Sequence, residues 1–218
     1  MKLCGLLYIY ILITNAASVG LGNRTGETDS VAKFPTISEN PGRFRMGVIV
    51  AIASHLGIVA ITGTLFLAFS PFNRQLALIG SLARLGEALA MIYGEATVLR
   101  LIDLASEYAL TDNKESLRLL GDQILQTKNN GVDLGLLLLS VGAIAYCFSF
   151  VQSAAVPSMF AWLGLAAGSL SAVGILIKFA SGFDTVAVIG MVLMMAFEVT
   201  FGGWLILYSH SYVGRVKV

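Results

Sequence analysis

Four ionisable residues stand inside long apolar stretches, where charge is hardest to accommodate: His55, Arg84, Glu87 and Glu198. A charged side chain at bilayer depth costs ~2.5–3.5 kcal/mol or more, and such residues face the interior of a helix bundle. Arg84 and Glu87 lie three residues apart, so on a helix they are neighbours on one face. Glu198 can reach the same guanidinium from another helix. Two carboxylates around one guanidinium leave one negative charge uncompensated, and the remedies are a shared proton, a protonated His55 or a bound cation. This is the chemistry of a proton or cation relay, or of the floor of a ligand pocket. The plainer expectation is an ion pair that locks two helices, with His55 merely hydrogen-bonded, because the spacing alone demands no catalysis.

The elements that must position these groups are apolar runs at Leu3–Gly22, Met46–Ala68, Gln75–Leu99, Leu134–Gln152, Pro157–Ile177 and Thr185–Leu207. A helix needs roughly 20 residues, at ~1.5 Å each, to cross a hydrocarbon core of ~30 Å. The runs lack the alternation of barrel strands, so they read as helices. By the rise per residue, Arg84 lies ~14 Å and Glu87 ~18 Å into the third run, Glu198 ~20 Å into the sixth and His55 ~14 Å into the second. All four can then share one polar layer. Mean hydropathy is +0.81. Only 12% of residues are charged, against about 25% in soluble domains. The net charge of +1 leaves no electrostatic footprint for nucleic acid. The expectation is an all-α transmembrane fold, one integral domain over residues 1–218 built as a six-helix bundle, with the lipid bilayer as its partner.

Between the runs, Asn23–Arg45 reads as a polar loop without helix period. Ser70-Pro71-Phe72-Asn73-Arg74, Val151–Pro157 and Phe179–Asp184 read as tight turns that make their flanking helices antiparallel neighbours. The polar stretch Arg100–Asp133 carries Leu117, Leu120, Ile124 and Leu125 on one face. It predicts a short amphipathic surface helix between the third and fourth spans, within Asp112–Thr127 and capped by Thr111 or Asp112; the alternative is a solvated extension of the third helix. Glu95 is expected at the solvated end of the third helix. Cys4 and Cys147 are expected as buried free thiols. The first run, with Lys2 before it and small residues near Ala17, has features of a signal peptide, but a retained helix is the expectation.

Gly164 and Gly168 form a G-x-x-x-G on the fifth run, extended by Ala172, which lets helix backbones approach closely. Packing within the chain is the first reading and a homo-oligomer through the fifth helix the second. Trp162, Trp204 and Tyr208 fit interfacial anchoring. The sequence holds no H-E-x-x-H, no P-loop and no G-x-G-x-x-G. With only His55 and His210 as histidines, no metal site, cofactor or catalytic residue is expected, and an enzymatic role is disfavoured.

Gly5-Leu6-Leu7-Tyr8-Ile9, Arg43-Phe44-Arg45-Met46-Gly47, Pro71-Phe72-Asn73-Arg74-Gln75-Leu76-Ala77-Leu78 and Ala83-Arg84-Leu85-Gly86-Glu87-Ala88 together resemble a bacterial membrane-protein family known as domain of unknown function 4386. The resemblance spans nearly the whole chain and implies a multi-pass architecture in the cell's inner (cytoplasmic) membrane, without a reaction. Orientation stays open. The Lys/Arg count puts the polar loops after the first and third helices in the cytoplasm, whereas the basic N-terminus common in the family puts both chain ends there. Two function classes follow. One is a non-catalytic membrane component for sensing, assembly or stress tolerance. The other is a small transporter, or proton- or cation-coupled carrier, that uses His55, Arg84, Glu87 and Glu198.

Overall fold

The computed structural model describes residues 2–112, 114–153 and 156–207. Among them lie eight helices and no strand: α1 (Lys2–Gly20), α2 (Ser30–Glu39), α3 (Pro41–Phe69), α4 (Arg74–Val98), α5 (Arg100–Leu110), α6 (Lys114–Ser153), α7 (Ser158–Ser181) and α8 (Thr185–Leu207). Six helical stretches are long and apolar enough to cross a membrane: α1, α3, α4 continued by α5, α6, α7 and α8. The fold is all-α with six candidate spans. Its polarity is inside out. Leu3, Leu67, Leu82, Met159 and Leu176 are exposed, while Arg84 and Glu87 are buried. Lipid is the solvent that makes this arrangement favourable.

Local chemistry sets the helix ends. Pro41 opens α3, where its fixed φ suits the first turn and its missing N–H costs nothing. Asn73 caps α4, its Oδ1 accepting from the Leu76 amide at 3.0 Å. Gly182 ends α7 at φ 75°, a left-handed conformation that a side chain would strain.

Two stretches differ from the sequence expectation. The loop Asn23–Arg45 contains α2. Asp29 caps it through the Val31 and Ala32 amides, and Phe34 and Ile37 bury one face. Burying two such side chains is worth ~1.5–3 kcal/mol each, which outweighs Pro35 inside so short a helix. The segment within Asp112–Thr127 is helical, but it is the start of α6, which runs unbroken for 40 residues. Its polar middle was expected to separate a surface helix from the fourth span; instead Lys128 is buried there and paired. Thr111 is the C-cap of α5.

The chain divides into two compact units, Met1–Ile11 with Gly57–Ala88 and Gly135–Val218, and Leu12–Leu56 with Leu89–Leu134. In the first, α7 and α8 meet almost backbone to backbone. A Cβ on Gly174 would stand 2.5 Å from the Ala187 nitrogen, and one on Gly190 2.5 Å from the Ser171 Cα. Only glycine allows that crossing. Phe201 is the hub of an aromatic cluster there, with Phe197 at 5.3 Å, Phe150 at 5.7 Å and Phe160 at 5.9 Å between ring centroids. The second unit holds α2 and α5 against a core of Phe34, Ile37, Phe44, Leu101 and Leu125.

Candidate functional site: a buried arginine between two carboxylates

In the first unit, Arg84 and Glu87 project from one face of α4, and Glu198 reaches them from α8. Arg84 Nη1 lies 3.0 Å from Glu87 Oε2 and 3.1 Å from Glu198 Oε1, to which it donates a hydrogen bond. The helical spacing of three residues and the approach of α8 therefore place both acids on one guanidinium nitrogen. Arg84 and Glu87 are buried, whereas the Glu198 side chain keeps 18% exposure. Gly142 of α6 makes room for the arginine stem, since a Cβ there would lie 3.1 Å from Arg84 Cγ. Two polar atoms remain without hydrogen-bond partners: Arg84 Nε, and Glu87 Oε2, which has the ion-pair distance but not the alignment.

A cavity of about 20 Å³ adjoins Arg84 and Glu198, walled by Tyr8, Tyr146, Cys147 and Phe150 among others. That is room for about one water molecule. Tyr146 is tied to Ser81 by a 2.6 Å contact between their hydroxyl oxygens. The tyrosines, Gly142 and Phe201 had no signature as site residues in the sequence. Aromatic and small residues are common in spanning helices, and only the fold shows which of them surround the arginine.

His55 belongs to the second unit, buried, with Nδ1 lacking a hydrogen-bond partner among the described residues. The second unit has a polar cluster of its own, centred on Lys128 and on Glu95, whose sequence position predicts the solvated end of its helix. Lys128 Nζ donates to Asn23 Oδ1 at 2.6 Å and to the Arg24 carbonyl at 3.1 Å, and lies 3.3 Å from Glu95 Oε1. Asn23 Nδ2 donates to Glu95 Oε2 at 2.6 Å and to Ser18 Oγ at 3.2 Å; Ser18 in turn donates to the Gly47 carbonyl at 2.8 Å. Glu95 is thus buried and paired rather than solvated.

Gly164 and Gly168 face α6 within the first unit. A Cβ on Gly164 would strike Cys147 Sγ and the Phe197 ring, and one on Gly168 would lie 3.0 Å from Ile144 Cγ1. Cys4 and Cys147 are buried free thiols. Trp204 stacks on Phe201, while Trp162 is exposed. Tyr208 and His210 lie outside the described residues. Among the described residues no group of three or more His, Cys, Asp or Glu side chains has the geometry to hold a metal ion.

Six apolar spans with charge turned inward define a multi-pass helical membrane protein. The chain belongs to the family described as Domain of unknown function (DUF4386), whose family model matches residues 3–208. Comparison with curated proteins and with solved structures gives no match.

Proposed function

We propose that this chain is a non-catalytic component of the cell's inner (cytoplasmic) membrane, acting in sensing, assembly or stress tolerance, in which Arg84, paired with Glu87 on its own helix, locks α4 to α8 through Glu198. The observation that carries this reading is the small size of the cavity at the cluster. The cavity beside Arg84 measures about 20 Å³, room for about one water. The test is flux through vesicles reconstituted with the purified protein, read with a pH-sensitive dye and with cation gradients. The expected result is leakage equal to that of empty vesicles. Flux that disappears in the Glu87→Gln, Glu198→Gln double variant would overturn the proposal.

A second reading, a small proton- or cation-coupled carrier, draws on the charge count. Two carboxylates share one guanidinium, Glu87 Oε2 has no hydrogen-bond partner, and Glu198 is partly exposed. A proton held on the acid pair would balance the charge and could be exchanged. Self-association built on α7 would use its outer face, where Trp162, Val173 and Leu176 are exposed, since Gly164 and Gly168 are covered within the chain.

A further inference from the structure

The residues after α1 fold into a recess of about 940 Å³ that belongs wholly to the second unit. Its walls are the last turn of α1, the stretch up to Asp29, one side of α2 and the first turn of α3. Ile37 and Phe44 are its buried apolar residues, and Lys33 Nζ stands 5.4 Å from the Phe44 ring centroid. The size suits a small-ligand site, for which ~300–1,000 Å³ is usual.

Three bases and three acids line it: Arg24, Lys33 and Arg43, with Glu27, Asp29 and Glu39. Two of the acids are already engaged. Glu27 pairs with Lys33, and Asp29 is the cap of α2. Arg43 Nη2 donates to the Gly20 carbonyl at 2.9 Å, which fixes the guanidinium beside the end of α1 and leaves most of its donors for a ligand. The Arg24 side chain is exposed, and only its backbone carbonyl serves Lys128. By charge the lining balances, three bases against three acids, but Arg24 and Arg43 keep free donors while Glu27 is turned to Lys33 and Asp29 to the α2 amides. Lys33 is buried beside these groups. Burial brings it down to about 8, Lys128 and Arg24 add to the shift by like charge, and Glu95 opposes it.

The height of the recess narrows the ligand. The spanning helix α1 ends at Gly20 and the spanning helix α3 begins at Pro41, and both ends line the recess. A pocket at the end of a span lies at the level of lipid phosphates, and guanidinium groups with free donors at that level suit a phosphate. We propose that the recess binds an anionic phospholipid, its phosphate held by Arg24 and Arg43 and its glycerol carbons against Val19 and Leu21 at the end of α1.

The test uses the full chain in detergent mixed with phosphatidylglycerol or phosphatidylcholine. Lipid retention is read by native mass spectrometry, and lipid-dependent melting by circular dichroism. The wild type should retain phosphatidylglycerol preferentially. Each basic contact is worth about fivefold in affinity, so Arg24→Gln should lower retention about fivefold and the Arg24→Gln, Arg43→Gln pair about 25-fold. Glu39→Gln should raise it, because it removes the lining acid that no base or amide engages. Arg43 also ties down Gly20, so Arg24→Gln and Glu39→Gln carry the test if the double variant does not fold. Equal retention of the two lipids, or retention unchanged in Arg24→Gln, overturns the site. Stabilisation by inorganic phosphate or glycerol phosphate without lipid selectivity also overturns the proposal, by assigning the arginines to a soluble anion.

Discussion

The two units each bury a charged cluster, and the clusters differ in their balance. In the second unit Lys128 meets one carboxylate, Glu95, and its three N–H donors point to Glu95, Asn23 and the Arg24 carbonyl. Asn23 and Ser18 complete the network, so its polar atoms are used and its net charge is zero. In the first unit Arg84 meets two carboxylates through one nitrogen, while Nε and Glu87 Oε2 lack hydrogen bonds. The same residue classes thus build a closed network in one place and an over-subscribed one in the other. The two balances predict different answers to the loss of an acid. A balanced pair is broken by losing either member, whereas a two-to-one cluster is brought into balance by losing one acid.

The largest effects should come from the cations. Arg84→Met strands the buried Glu87 and the partly buried Glu198, Lys128→Met strands Glu95 alone, and breaking a buried pair costs ~3–5 kcal/mol. Both variants should melt well below wild type in detergent, followed by circular dichroism, with Arg84→Met the lower. In the balanced cluster Glu95→Gln should cost nearly as much as Lys128→Met, because it leaves a buried ammonium with neutral partners only. Replacing both Lys128 and Glu95 by methionine should recover much of the loss, since an apolar pair of similar volume needs no compensating charge. A double variant as unstable as the singles would show that Asn23 and Ser18 depend on the pair for more than its charge.

How much of this contrast the sequence carried depends on the signal available. Charge inside an apolar run is loud, so Arg84, Glu87 and Glu198 were legible as a cluster, and the three-residue spacing gave the first contact. Glu95 and Lys128 were silent because each lies where a run gives way to polar residues. That position usually means solvent, and nothing local says that the two side chains meet. The same silence hid the unbroken course of α6 through Lys128 and Asp133, since polar residues mark a span boundary by composition without stopping a helix. In α2, Phe34 and Ile37 gave too short a period to register beside Pro35. His55 was placed by depth alone, and depth carries no information about which helices stand around it.

Intermediate effects should separate packing from charge as the means of holding helices. In the first unit, Gly174→Ala drives a methyl against the backbone of α8, 2.5 Å from the Ala187 nitrogen and 2.6 Å from the Val186 carbonyl carbon. Backbone cannot swing aside, so α7 and α8 must separate. Overpacking of this kind costs ~1–3 kcal/mol. Gly168→Ala meets a movable Ile144 side chain at 3.0 Å and the Ser140 carbonyl at 3.2 Å, so its melting should change less. Gly168→Leu cannot be accommodated that way and should be clearly destabilised. If Gly174→Ala and Gly168→Ala melt alike, the close crossing of α7 and α8 is not what holds that part of the first unit.

The smallest expected effect bears most directly on the comparison. Glu87→Gln removes the acid that accepts no hydrogen bond at the contact: its Oε2 lies 3.0 Å from Arg84 Nη1 without hydrogen-bond alignment. Glu198 still accepts from the same nitrogen at 3.1 Å, so the guanidinium stays paired and the cluster becomes neutral. Glutamine is nearly isosteric, and its amide can donate where the carboxylate could only accept. The loss of one ion pair is offset by the loss of one uncompensated charge, so the net change should stay within ~1 kcal/mol. Melting close to wild type for Glu87→Gln, beside a large loss for Glu95→Gln, would establish that charge balance, rather than burial or the number of polar contacts, separates the two clusters. A large loss in both would instead mean that Arg84 depends on the Glu87 carboxylate despite its poor alignment, and that Glu198 alone cannot hold the guanidinium in place.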